Sequence, residues 1–434
     1  MNSSLSAHSF FRSGIFLLLV VCVVASPVLA ADALAAEQPP RFGGPNAVPN
    51  QIESDVFNAL KGWSTSTGER WDVWKKELQQ QHGFGFGVDY TGVYFQADDA
   101  KGLGLPAGTQ SDKAAAGNLR LFGSWDLLGR DSGNTGSLVW KVESRHNYSS
   151  SPTPARTWAA LDLGYVGLVG PPFNDDGFRI QNFYWKQRFG GGRYSLVAGT
   201  IDVTDFLDVY GMISPWLHFS NFAFSTGSAA IDLPNDGGFG AGIGAMLTDN
   251  IYFIGSIQDA NGDPEEPWES VGNFFSDNEY FTSAEIGWSS GQGYIYLDNY
   301  HVTLWHKDKR EEVGKPSGWG VNFSFARFVD ETWMPFLRGG WSEDGDSLLR
   351  KSLSAGVGYR LRNQRDLVGF GLNWGEPNEN QGAGTDSQYA GELFYRLQVG
   401  KRVQLTADLQ YVKDPAASTS NSIWVAGARA RLAF

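Results

Sequence analysis

The sequence predicts an all-β fold, a transmembrane antiparallel β-barrel of about 16 strands, preceded by one short amphipathic helix. Three observations carry the prediction. After Gly83, apolar and polar residues alternate with a period of two, segment after segment, between polar or glycine-rich turns. No later segment carries the roughly 18 uninterrupted apolar residues of a membrane helix, which alternating barrel strands do not need. The last segment, "SIWVAGARARLAF", has one wholly uncharged face and stops at an aromatic.

At the N-terminus, Arg12, the apolar run from Ile15 to Val24 and Val28-Leu29-Ala30 as a cleavage site read as a secretory signal peptide over residues 1–30. Its removal takes Arg12 alone among charged residues, so the formal charge moves from −13 to −14 and nucleic acid is not expected as a partner. It also takes Cys22, the only cysteine, so no disulfide, thiolate metal site or cysteine nucleophile is expected in the mature chain. Residues 31–66 are rich in Pro, Gly and Asn and read as a flexible lead-in. A short amphipathic helix is expected over 67–83: Ser66 and Glu69 have capping-box spacing, Trp71, Trp74 and Leu78 share a face, and Gly83 can close the end.

Residues 84–434 read as one barrel without a second domain. Candidate strands fall at 84–96, 117–127, 137–147, 157–168, 179–189, 194–203, 238–248, 250–259, 279–289, 293–305, 317–328, 333–342, 350–361, 366–374, 387–399, 402–412 and 423–434. Single-chain bacterial barrels use an even number, so one of these seventeen segments is false or one is missed. In the last segment Trp424, Ala426, Ala428, Ala430, Leu432 and Phe434 share one face, while Arg429 and Arg431 lie on the other. Trp424 and Phe434 are about 33 Å apart along a strand, and a tilt of about 45° reduces that to the roughly 23 Å of an outer-membrane apolar band. A one-residue slip would turn both arginines into lipid at about 2 to 4 kcal/mol each, so the register is strongly specified.

Several motifs that resemble enzyme or metal chemistry lack the context that chemistry needs. "GWSSG" places Ser289 as in a nucleophile elbow, but a strand-like segment follows where a helix is required. "DANGD" offers Asp259, Asn261 and Asp263 without the glycine position or flanking helices of a calcium loop. "GGFGAGIGAML" alternates as a strand does and opens no helix, so it is a weak phosphate cradle. The histidines show no metal-ligand spacing. Neither an enzyme nor a cofactor is expected.

The inward faces are more informative. Parity in "GNLRLFGSWDLL" and "LVWKVESRHNY" turns Arg120, Asp126, Lys141, Glu143 and Arg145 to the lumen, and the C-terminal strands add Arg396, Arg429 and Arg431. Mixed donors and acceptors at close spacing suit a polyhydroxylated neutral solute better than ions of one sign, although plain solvation of a lumen would use the same residues. The longest connection, "TDFLDVYGMISPWLHFSNFAFSTGSAAIDLPNDG", is too aromatic for an exposed loop. Folded into the barrel it would narrow the pore and offer a ring such as Trp216 to the apolar face of a sugar.

Four stretches, "WDVWKKELQQQHGFGFGVDYTGVY", "AGTIDVTDFLDVYGMISPWLHFSNFAF", "GGFGAGIGAML" to "GSIQDANGD", and "ELFYRLQVGKRVQLTADLQYVKDP" to the terminal Phe434, resemble the OprB-type carbohydrate-selective porin family. The resemblance implies a 16-stranded barrel in the bacterial outer membrane, constricted by inward loops, that passes monosaccharides such as glucose by facilitated diffusion. It also implies outer-membrane lipid and the barrel assembly machinery as partners, the latter through the terminal aromatic. Two alternatives stay open: a general or ion-selective porin without a sugar site, and an outer-membrane hydrolase that would need Ser289 near a histidine.

Overall fold

The computed structural model describes residues 42–60, 64–148, 155–170, 177–234, 236–361 and 365–434, with side chains from residue 55 to 60 and at residue 155 left aside. The expected signal peptide and the lead-in as far as residue 41 lie outside the described residues. Among the described residues, sixteen antiparallel strands close on themselves. They are β1 (Phe84–Ala97), β2 (Lys113–Leu128), β3 (Gly136–Asn147), β4 (Gly177–Phe189), β5 (Tyr194–Asp202), β6 (Gly237–Met246), β7 (Ile251–Asp259) and β8 (Tyr280–Ser289). The second half adds β9 (Asn299–Lys307), β10 (Gly318–Ala326), β11 (Trp333–Asp344), β12 (Leu349–Arg360), β13 (Leu367–Pro377), β14 (Gln388–Val399), β15 (Val403–Lys413) and β16 (Ser422–Ala433). Each strand pairs with its sequence neighbours, and β1 pairs with β16 to seal the cylinder.

The expected alternation holds where it was read. Leu119, Leu121 and Trp125 of β2, Leu405 and Leu409 of β15, and Trp424 and Leu432 of β16 are exposed on the outer face, while Asn118, Arg120, Gln404, Thr406, Arg429 and Arg431 are buried inside. Register then assembles the inner wall. Asp89 lies opposite Arg120 on one side and Ala433 on the other, and Arg431 faces Thr91, one pleat away.

The segment 157–168, expected as a strand, is the false member of the seventeen. Its first residues complete a helical turn (Ala155–Trp158), and Ala159–Leu163 form a π-helical turn ended by Gly164 at φ 74°. Trp158, Leu163 and Tyr165 pack inside the barrel against Phe95, Val425 and Trp216, so their spacing records burial by a folded-in loop rather than a pleat. The segment 293–305 is also shorter as a strand, because a 3₁₀ turn occupies Gln292–Tyr294 and β9 starts at Asn299.

Helix α2 (Ser66–His82) stands where a helix is expected, capped one residue earlier than the capping-box spacing implied: the Thr65 hydroxyl accepts from the Gly68 N–H, and Gly83 closes the end in the left-handed region. Trp71 and Trp74 pack edge-on against Phe86 of β1, and Arg402 at the β14–β15 turn bonds Asp72 at 2.6 Å. The described part of the lead-in differs from the expectation. Residues 42–54 are packed within the barrel, and α1 (Val48–Leu60) places Val48 and Ile52 against Phe122, Val139, Tyr184, Val197 and Ile201.

Candidate functional site

Residues 203–234, which follow β5, fold into the lumen as the sequence predicted. The driving force is apolar. Tyr210, Met212, Ile213, Phe219 and Phe224 leave water to pack on inward-facing Tyr252, Ile254, Met334, Phe336 and Phe394. Phe219 sits edge-on to Phe394 at 5.0 Å, and Gly371 has no Cβ where one would come 2.8 Å from Phe224.

Polar side chains of the wall then fix the loop backbone, because a buried loop must find partners for its own N–H and C=O groups. Glu392 of β14 accepts from the backbone N–H of Ser220 (2.6 Å) and Asn221 (2.8 Å). Arg429 donates to the carbonyls of Pro215 (2.6 Å) and His218 (2.7 Å), and Arg396 donates to that of Leu217 at 3.0 Å. On the other side Arg338 donates to the carbonyls of Asp208 (2.8 Å) and Ser225 (3.0 Å) and lies 4.2 Å from the centre of the Tyr210 ring. The Asp208 carboxylate bonds Arg338 and the ring of His301, the latter at 2.8 Å.

Above this anchored loop, a cavity of about 370 Å³ remains open in the lumen. Its wall carries Lys141, Arg145, Arg156, Lys307 and Arg310 against Glu143, Asp202, Asp205, Asp232, Asp236 and Asp346, with Trp216, Phe222 and Gln181 among them. The charges are paired. Lys141 bonds Asp205 at 2.8 Å, Arg145 bonds Glu143 at 2.9 Å and Asp236 at 3.1 Å, and Lys307 bonds Asp232 at 2.9 Å. Burial acts to raise the Asp236 carboxyl, but the guanidiniums of Arg145 and Arg179 outweigh it and hold the group down at about 2. Asp205 goes the other way: burial pushes its carboxyl up, and Lys141 only partly offsets this.

The structure thus brings Lys141, Glu143, Arg145 and Trp216 of the sequence-predicted set to one cavity wall. Arg120 lies deeper, bonded to Asp89 at 2.5 Å, and its guanidinium covers the Trp216 ring at 4.3 Å. Arg431 shares the same Asp89 carboxylate at 2.6 Å. Arg396 and Arg429 serve the loop backbone. Asp126 is apart from all of these, accepting from the Ser137 hydroxyl at 2.5 Å and lining a second cavity of about 520 Å³ with Lys75, Lys76 and Gln79.

Sequence reasoning missed Asp89, Asp205, Asp208, Asp236 and Arg338; strand parity turns Glu392 inward, but it was not among the candidate site residues. Parity alone would have found Asp89 in "GFGFGVDYTGVY", since Val88 and Tyr90 face out. The three loop aspartates gave no such signal, because only the folded loop brings them to the wall. Ser289, the hydrolase candidate, ends β8 and donates to the Gly291 carbonyl at 2.8 Å, the hydrogen bond of a turn. Among the described residues, no group of His, Cys, Asp and Glu could hold a metal ion.

The high-pH structure of Pseudomonas putida OprB superposes with a TM-score of 0.63 at 15% identity, covering 84% of this chain and 97% of that one. The low-pH structure of the same protein gives a TM-score of 0.49 at 16% identity, covering 86% and 98%. At such identity the first likeness speaks to the fold, and a comparison with curated proteins finds no match. A family model described as "Carbohydrate-selective porin, OprB family" matches residues 132–434, which takes in fourteen of the sixteen strands, the folded-in loop and most of its anchors. The match spans well over half of the sequence, and the chain belongs to the OprB family of carbohydrate-selective porins.

Proposed function

We propose that the cavity above the folded-in loop is the sugar-selecting site of a channel in the bacterial outer membrane, passing monosaccharides such as glucose by facilitated diffusion. The observation that carries this is the balance of its wall: five basic and six acidic side chains, interleaved and paired, around Trp216 and Phe222. A wall of one sign would concentrate counter-ions, whereas paired charges present fixed donors and acceptors at low net potential, which a neutral polyol can bridge. Lys141, Arg145, Glu143 and Asp236 exchange hydrogen bonds with hydroxyls in this reading, and the part-covered edge of Trp216 meets the apolar face of the sugar.

Arg120, Arg396, Arg429 and Arg431 act indirectly, by holding the loop and its tryptophan in place. Asp126 belongs to the mouth on the short-turn side. The apolar outward band meets outer-membrane lipid, and Phe434 at the end of the last strand suits recognition by the barrel assembly machinery.

The test compares Arg145→Ala with the unmodified chain in proteoliposome swelling and in salt conductance. Loss of one charge-assisted bond to the solute weakens sugar binding by about tenfold or more, so sugar flux falls well below its starting value while salt conductance changes far less. Equal changes in both would instead describe a general porin in which Arg145 only shapes the pore.

A further inference from the structure

The first described residues lie inside the lumen near the side of the short β6–β7 turn, and the chain returns toward that side. Phe42 is buried near the lower ends of β6 and β7, beside Met246, Tyr252 and Ile254. Asn46, partly exposed, lines the upper cavity together with Lys141, Asp202 and Asp236. Ile52 and Glu53 then line the lower cavity with Gly85 and Asp126. The chain therefore rises from Phe42, turns over Gly44–Ala47, where the Ala47 N–H donates to the Gly44 carbonyl at 3.1 Å, and descends as α1 toward the rim helix α2.

Specific contacts fix this insertion. The Asn50 side-chain amide donates to the carbonyls of Gly43 (3.0 Å) and Gly44 (2.9 Å), tying the descending limb to the rising one. The Gly44 N–H donates to the Asp205 carbonyl at 2.7 Å, which joins the insertion to the folded-in loop. A Cβ at Gly44 would stand 2.8 Å from Val209, and one at Gly244 would stand 2.7 Å from the Phe42 ring, so backbone and ring approach as closely as glycine allows. Gln51 reaches the Asp89 carboxylate at 3.3 Å, the same carboxylate that pairs Arg120 and Arg431.

We infer that residues 42–60 are a built-in wall of the solute path, which narrows the lumen from below as the loop narrows it from above. The upper cavity ends on Asn46 and the lower one begins on Pro49 and Ile52, so the insertion stands between the two and solute leaving the upper cavity passes along Asn46. This inference rests on the chain being a channel, and the current of the unmodified protein is the control for that reading.

Deletion of residues 42–60 should raise single-channel conductance by about twofold or more, since removing a lumenal obstruction widens an aqueous pore. Unchanged or lower conductance in a deletion variant that inserts would overturn the inference. Asn46→Cys, in a chain carrying Cys22→Ser, tests it without removing any structure. A cationic methanethiosulfonate reagent should then lower the current in discrete steps by about a third or more, and a current indifferent to the reagent after confirmed labelling would overturn it equally. Absence of current from the unmodified chain would instead fail the channel reading itself.

Discussion

His218 stands among cations in the heart of the folded-in loop, and its chemistry makes the loop sensitive to acid. Burial, and then Arg396, Arg429 and Arg360, push its ring well below the ordinary 6.5, so the docked loop holds the ring neutral. An undocked loop would return the ring to its ordinary value and take up a proton below it. Stability from this residue is therefore complete above about pH 6.5 and declines as pH falls toward the docked value, by up to about 1.4 kcal/mol per pH unit. Open-channel noise should rise, or the unfolding midpoint fall, between about pH 7 and about pH 5, and His218→Gln should flatten its share of that dependence. An identical pH profile in the variant would remove His218 from the cause. Asp236 adds nothing over that range, because Arg145 and Arg179 keep it ionised down to about 2. None of this was legible in the sequence, where the histidines show only that they lack metal-ligand spacing: Arg360, Arg396 and Arg429 lie over a hundred residues from His218 and meet it only through the inward fold of the loop.

At the scale of elements, strand parity was the most legible feature, because a side-chain period of two survives any error in the strand ends. β15 shows why. Gln404, Thr406, Asp408 and Gln410 are buried on the inner wall while Leu405 and Leu409 are exposed on the outer one, as alternation alone requires. Leu409 lies near the strand centre, opposite Leu393 and Ala426, so Leu409→Arg should destabilise the barrel by about 2 to 4 kcal/mol in lipid vesicles, measured as a shift in its denaturant midpoint. A midpoint equal to that of the unmodified chain would contradict the lipid-facing assignment. Elements whose apolar residues are buried by the lumen were harder to read. In the segment 157–168, Trp158, Leu163 and Tyr165 imitate a strand, although the backbone there turns as a π-helix. In the lead-in, proline, glycine and asparagine masked a helix whose signal was present in Val48, Ile52, Val56 and Leu60, one apolar residue every fourth position.

For the whole molecule, the surplus of acidic residues in the sequence, a formal charge of −13, does not describe the pore. At the upper cavity the signs nearly cancel, and Arg120, Asp89 and Arg431 form a paired layer beneath it. Parity could identify donors of this wall, but Asp205, Asp232 and Asp236 arrive on the loop between β5 and β6, outside any strand whose alternation would have placed them. A solute crossing the barrel meets a narrow polar passage with little net field, bounded by the loop and by the N-terminal insertion. The most direct test is ion current through the purified protein in a planar bilayer, titrated with glucose and then with other sugars. A steady current blocked saturably by sugar, with little preference between cations and anions, is expected. A current that no sugar blocks, or one strongly selective for a single ion sign, would contradict it.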